Sequence, residues 1–121
     1  MTSNRTTRLS VANDFSRVPA GRYVGDGPCS GQVFRERLLV PALEDSSRVI
    51  VDLDGAEGYG SSFLEEAFGG LVREHGFNIA DLALRLHFKS EEDPSLLVEI
   101  QEYLTSADDL HTGSKRTTGS D

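Results

Sequence analysis

Val49, Ile50 and Val51 are three β-branched residues in a row, with Leu53 close behind. Such a run holds a strand better than a helix, where branching at Cβ crowds the preceding turn. An apolar strand that does not alternate with polar residues is the pattern of a parallel strand covered by helices on both faces. Arg48 to Leu53 is therefore the element around which the rest of the chain must arrange itself.

The flanking segments read as a helix on each side. Gly31 to about Glu44 carries Val33, Phe34, Leu38, Leu39 and Leu43 close to one face, with Ser30 placed to cap it. Pro41 predicts a kink or an early break there. From about Ser62 to His75, Leu64, Phe68 and Leu71 form an apolar stripe, and Gly76 stops the helix. Gly69 and Gly70 in mid-helix suggest a close approach to a sheet. Leu82, Leu84, Leu86 and Phe88 alternate as a half-buried strand, and a last helix starts near Asp93 or Pro94 with Leu97, Ile100 and Leu104 inward. Thr7 to Val11 and the brief Arg22-Tyr23-Val24 complete the candidate strands. The fold class is α/β, a mixed sheet of about four strands with helices packed on it. The domain spans residues 7–106, between a flexible N-terminus of residues 1–6 and a flexible polar tail of residues 107–121.

Composition narrows the function classes. A chain of 121 residues with net charge −8 is one acidic domain, which argues against nucleic acid and leaves a basic protein surface as the sharper kind of partner. Cys29 is the single cysteine, so no internal disulfide or cysteine-built zinc site can form, and it reads as a small loop residue. His75, His87 and His111 lack metal-ligand spacing. No apolar run is long enough for a membrane span, and the first residues have no signal-peptide core, so a cytoplasmic protein without a cofactor is expected.

Two chemistries compete between Val49 and Val72. Asp52 and Asp54, followed by Gly55, have the spacing of a phosphohydrolase strand end, where one carboxylate attacks phosphorus, the other protonates the leaving group and both help hold magnesium. Lys89 sits at a suitable strand end, but about fifty residues precede the motif and Asp108-Asp109 follows a helix. Ser62 and Glu65 instead have capping-box spacing, which accounts for Ser62 and leaves Ser61 unused. A phosphate on Ser61 would face helix amides and add negative charge beside Asp54, Glu57, Glu65 and Glu66. Two further features have plainer readings. The loop Gly25 to Gly31 could cradle an anion, as in a nucleotide or small-ligand sensor, but lacks a P-loop lysine. Arg22 and Arg35 could pair with the acidic strand end, or else form surface ion pairs of little weight.

The strand ending in Asp, the short loop, the paired serines and the apolar helix resemble the STAS domains of bacterial anti-sigma factor antagonists. There the first serine of Asp-Ser-Ser-Gly-Leu is phosphorylated by an ATP-dependent anti-sigma kinase. Gly60 stands where the antagonists carry Asp, and Phe63 where they carry Gly. GRYVGDGPCSGQVFRERLLVPAL together with VIVDLDGAEGYGSSFLEEAFGGLV is more closely similar to a STAS-like family of bacterial domains of unknown function. That family reads Gly-Arg, Ser-Gly-x-x-Phe-Arg, Pro-Ala-Leu, then Ser-Ser-Phe-x-x-Glu-x-Phe-Gly-Gly-Leu.

The resemblance implies a STAS-like fold and a regulatory binding module rather than an enzyme. Ser61 and Ser62 are its phosphoacceptor candidates. Its docking surface would comprise Asp54, the loop Gly58-Tyr59-Gly60, both serines, Phe63 and Glu66. The partner implied is a histidine-kinase-like ATPase acting as serine kinase or anti-sigma factor. The phosphohydrolase and the ligand sensor stand as alternatives.

Overall fold

The structure, a computed structural model, describes residues 5–120, with side chains described as far as Leu110. Of the two polar ends expected from composition, residues 1–4 and Asp121 lie outside that range.

Strands β1 (Thr6–Ser10), β2 (Arg48–Asp52) and β3 (Leu86–Lys89) form a parallel sheet in the order β1-β2-β3, with β2 in the centre. Thr6 pairs with Arg48 and Leu9 with Val51; Val51 in turn pairs with Phe88. Helix α1 covers residues 31–45: an α-helical start at Gly31–Phe34, a wider π-type turn at Arg35–Leu39, and a return to α geometry at Val40–Asp45. Helix α2 repeats the scheme over residues 61–73, with its π-type turn at Glu65–Gly69. Helices α3 (Ile79–Arg85) and α4 (Ser95–Ser120) follow. The last helix, expected to start near Asp93 or Pro94, begins at Ser95, and its backbone is helical to Ser120.

The core joins Leu9, Val49 and Val51 of the sheet to Phe34 and Leu39 of α1, Phe63, Phe68 and Leu71 of α2, and Ile100 and Leu104 of α4. The Phe34 ring stands 6.0 Å from Phe63 and 6.3 Å from Phe68, and Phe68 meets Phe88 edge-on at 5.2 Å. Such contacts bind the two central helices to each other and to the sheet.

Several expectations are corrected. Among the described residues there are three strands, all parallel, rather than about four in a mixed sheet. Arg22 to Val24 does not pair. The Asp26 carboxylate accepts the amides of Arg22 (3.1 Å) and Tyr23 (2.9 Å) and bends the chain into a 3₁₀ turn, Val24–Asp26. The alternation from Leu82 to Phe88 hides a helix end: Asn78 caps α3 by accepting the amides of Ala80 and Asp81, and only Leu86 onward is strand. Pro41 does not end α1. The π-type turn before it restarts the helix at Val40, which puts Pro41 in a first turn, where no amide donor is needed. In α4 the inward leucine is Leu96, not Leu97, which is exposed.

One correction concerns the central strand itself. Leu9, Val49, Val51 and Leu86 are buried, while the intervening residues Arg8 and His87 are exposed and Ile50 is half-exposed. The helices lie on one face of the sheet, and among the described residues none covers the other.

Candidate functional site

β2 delivers Asp52 to the carboxyl end of the sheet, and the chain then turns through Gly55, whose φ of 94° suits a residue without Cβ. Asp52 accepts the Asp54 amide at 3.0 Å. Asp54 accepts the amides of Glu92 (3.0 Å) and Glu91 (3.1 Å) and the Lys89 ammonium (3.0 Å), and Gly55 donates back to the Glu92 carboxylate at 2.9 Å. Asp54 thus clamps the loop after β2 to the loop after β3. The Glu92 amide, with Lys89 and the Glu91 amide, holds its carboxyl below the ordinary range, and Asp54 in turn raises the Lys89 ammonium. Both Asp54 oxygens are occupied, so the carboxylate that the phosphohydrolase reading needs for proton transfer is taken up by structure. Among the described residues no group of His, Cys, Asp or Glu is arranged to hold a metal ion.

A pH dependence follows. A carboxylate whose pKa is depressed on folding stabilises the fold above its unfolded value, about 3.9, and loses that contribution as pH falls through the lower folded value. Asp54 is expected to titrate below ordinary aspartate in a carboxyl NMR titration. The amides of Glu91 and Glu92 should shift in step with it, and Asp54→Asn should abolish that step. Amide shifts that track a different carboxyl would refute the clamp.

Beyond the clamp, the Tyr59 hydroxyl donates to the Leu53 carbonyl at 2.8 Å, and its ring packs 5.9 Å from Phe63. Burial, then the charges of Asp52, Asp54 and Glu92, push its ionisation far above that of a free phenol. The loop is therefore anchored at Tyr59, while Gly58 and Gly60 on either side are exposed. A cavity of about 280 Å³ separates this loop from the start of α4, with Asp54, Glu57, Tyr59, Glu92 and Glu99 on its walls.

Helix α2 begins here, and the capping box expected at Ser62 is not formed. The N-cap is Gly60, no side chain caps the helix, and Glu65 turns away to Arg22 and Arg73. Ser61 is the first helical residue and is exposed; Ser62 is half-buried. The Ser61 hydroxyl interacts with the phenol of Tyr103, which donates to Glu99 at 2.6 Å. Phe63 is fully buried and Glu66 is 3% exposed, so two residues expected on the docking surface are interior.

Glu66 belongs instead to an ion cluster that the sequence did not reveal. Arg35 is 2% exposed and bonds Glu66 at 2.8 Å and Glu36 at 3.0 Å. Arg22 pairs with Glu65 and lies 3.3 Å from Glu66; Arg73 lies 2.6 Å from Glu65 and 3.2 Å from Glu66; His75 meets Glu36 at 2.8 Å. Arg22 and Arg35 therefore meet the acids of α2, and the acidic strand end is served by Lys89. The signal in the sequence was the glycine pair. A Cβ on Gly70 would overlap the Arg35 guanidinium, and one on Gly69 would lie 2.7 Å from Glu65, so these glycines make room for the cluster and not for a sheet.

The glycine-rich loop is likewise internally satisfied. The amides of Gly31 and Gln32 donate to the carbonyls of Gly21 (2.9 Å) and Arg22 (3.0 Å), and Ser30 caps the Val33 amide at 3.3 Å. The amides at the start of α1 that would face an anion, those of Gly31, Gln32 and Val33, are already bonded. Cys29 is half-buried there and lends its carbonyl to the Ala20 amide.

A family model described as a STAS-like domain of unknown function matches residues 30–96, more than half of the chain, from the cap of α1 to the start of α4. No curated protein matches, and no solved structure does.

Proposed function

Since the chain belongs to that family of STAS-like domains of unknown function, we propose that it is a regulatory protein-binding module and not an enzyme. It docks its partner through Asp54, the loop Gly58-Tyr59-Gly60 and the start of α2, with Ser61 as phosphoacceptor and Ser62 as the second candidate.

The supporting observation is what remains when the motif residues are assigned structural work. Ser30 caps α1, Phe34, Phe63 and Phe68 fill the core, and Arg22, Arg35 and Glu66 form the ion cluster beside Gly70. Ser61 is the exposed serine of the motif, at a helix start that no side chain caps. A phosphate there would complement the free helix amides and would set about two negative charges beside Glu99 and Tyr103, changing the docking surface without touching the core.

The partner is a histidine-kinase-like ATPase that acts as serine kinase or anti-sigma factor. Incubation with such an ATPase encoded nearby, and ATP, is expected to give a complex and a single phosphate on Ser61 by mass spectrometry, absent in Ser61→Ala. No complex, and no phosphate on Ser61 or Ser62, would sink the proposal. The phosphohydrolase and sensor readings have less support, because Asp54 and the helix-start amides of Gly31, Gln32 and Val33 are already engaged. No helix among the described residues is long and apolar enough to cross a membrane.

A further inference from the structure

A parallel sheet with one bare face is an incomplete structure. Parallel sheets occur almost only with both faces covered, and here the helices occupy one side. The register sets three rows on the bare side: Thr6 beside Arg48; Arg8, Ile50 and His87; and Ser10, Asp52 and Lys89. Ile50 lies at the centre, half-exposed, between exposed Arg8 and His87. Asp52 is the one carboxylate in these rows, and Lys89 lies 3.9 Å from it. Among the described residues Arg8 and Arg48 have no ion-pair partner, whereas Arg5 is paired with Asp45 and Arg85 with Asp81. A chain of net charge −8 thus presents cations around an apolar centre on this face.

We propose that the bare face docks an acidic amphipathic helix of a protein partner, laid over β1, β2 and β3 on the side opposite α1 and α2. A helix is the element that normally covers a parallel sheet, and its apolar stripe would take Ile50 out of water. Carboxylates flanking that stripe complement Arg8 and Arg48. A second copy stacked on the same face would oppose like charges, and a nucleic acid would press phosphates against Ile50 and Asp52. The surface is separate from the Ser61 loop, so this inference does not depend on the function proposed above.

The test places a photo-crosslinking benzoylphenylalanine at exposed His87 in the full chain, inside its native cells, and sequences the crosslinked peptide. The expected result is one dominant adduct whose peptide is amphipathic and acidic. Its yield should drop about tenfold or more in the Arg8→Glu, Arg48→Glu double variant, with an unchanged unfolding temperature. A synthetic peptide of that segment should then shift the amide resonances of Arg8, Ile50 and His87. Absence of an adduct, crosslinks to nucleic acid or a second copy, a peptide without an acidic face, or a yield indifferent to charge reversal would each overturn it.

Discussion

Arg35→Ala is expected to destabilise the fold by about 3 kcal/mol, the lower end of what removing one partner of a buried ion pair costs. The loss comes less from the missing attraction than from Glu66, which stays 3% exposed with its closest cation gone. Arg22 and Arg73 still reach Glu66 from the half-exposed rim, at 3.3 and 3.2 Å, and keep the cost from rising further. Urea denaturation measures it directly, and a cost under about 1 kcal/mol would mean the pair is not desolvated as described. Two companions make the cause explicit. Arg35→Met with Glu66→Met removes both charges and should recover most of the loss. Gly70→Ala should destabilise the wild type, where its methyl collides with the guanidinium, and stabilise the Arg35→Ala protein, where the same methyl fills a void and alanine favours the helix. A sign change of that kind is not produced by two independent sites.

Gly31→Ala is expected to cost about 1–3 kcal/mol, against the gain of up to about 1 kcal/mol that alanine brings at an unobstructed helical glycine. A Cβ on Gly31 would overlap the Phe63 carbonyl oxygen and lie 3.1 Å from the Ala67 amide. Both are backbone atoms of α2, so no rotamer relieves the overlap and the helices must separate. The same movement would shift the helix start that presents Ser61. A lowered midpoint in thermal unfolding, with changed amide shifts at Ser61 and Ser62, is the expected result. A more stable protein would show that α1 and α2 do not touch there.

Local rules located what local physics determines. The β-branched run is β2, Ser30 does cap α1, and Gly76, at φ 71°, does stop the second helix. Rules failed where a neighbouring cap outweighed an apolar pattern, or where the deciding partner lay far along the chain. Leu82, Leu84, Leu86 and Phe88 alternate like a strand, but Asn78 and the Asp81–Arg85 pair hold the first half as helix. Ser62 and Glu65 have the spacing of a cap, yet Glu65 lies closer to better donors, the guanidinium groups of Arg22 and Arg73. Three β-branched residues suggested two covered faces, and Ile50 alone breaks that reading. For the candidate site, Ser61 and its loop were readable, while Phe63 and Glu66 belong to the interior because Arg35 and Phe34 come from another helix.

The all-parallel register also bears on how the chain folds. Thr6 pairs with Arg48 and Val49 with Leu86, so each sheet contact closes a loop of about forty residues and none is a hairpin. Loop closure of that size precedes any gain from the sheet, which makes the strands slow to assemble and the helices early. On a ribosome, β2 emerges well before β3 and has one edge unpaired until Lys89 is out. The contact of Gly31 with α2 joins segments about thirty residues apart and needs no sheet, so the α1–α2 pair can form first and hold β2 against their shared apolar face until its second neighbour arrives.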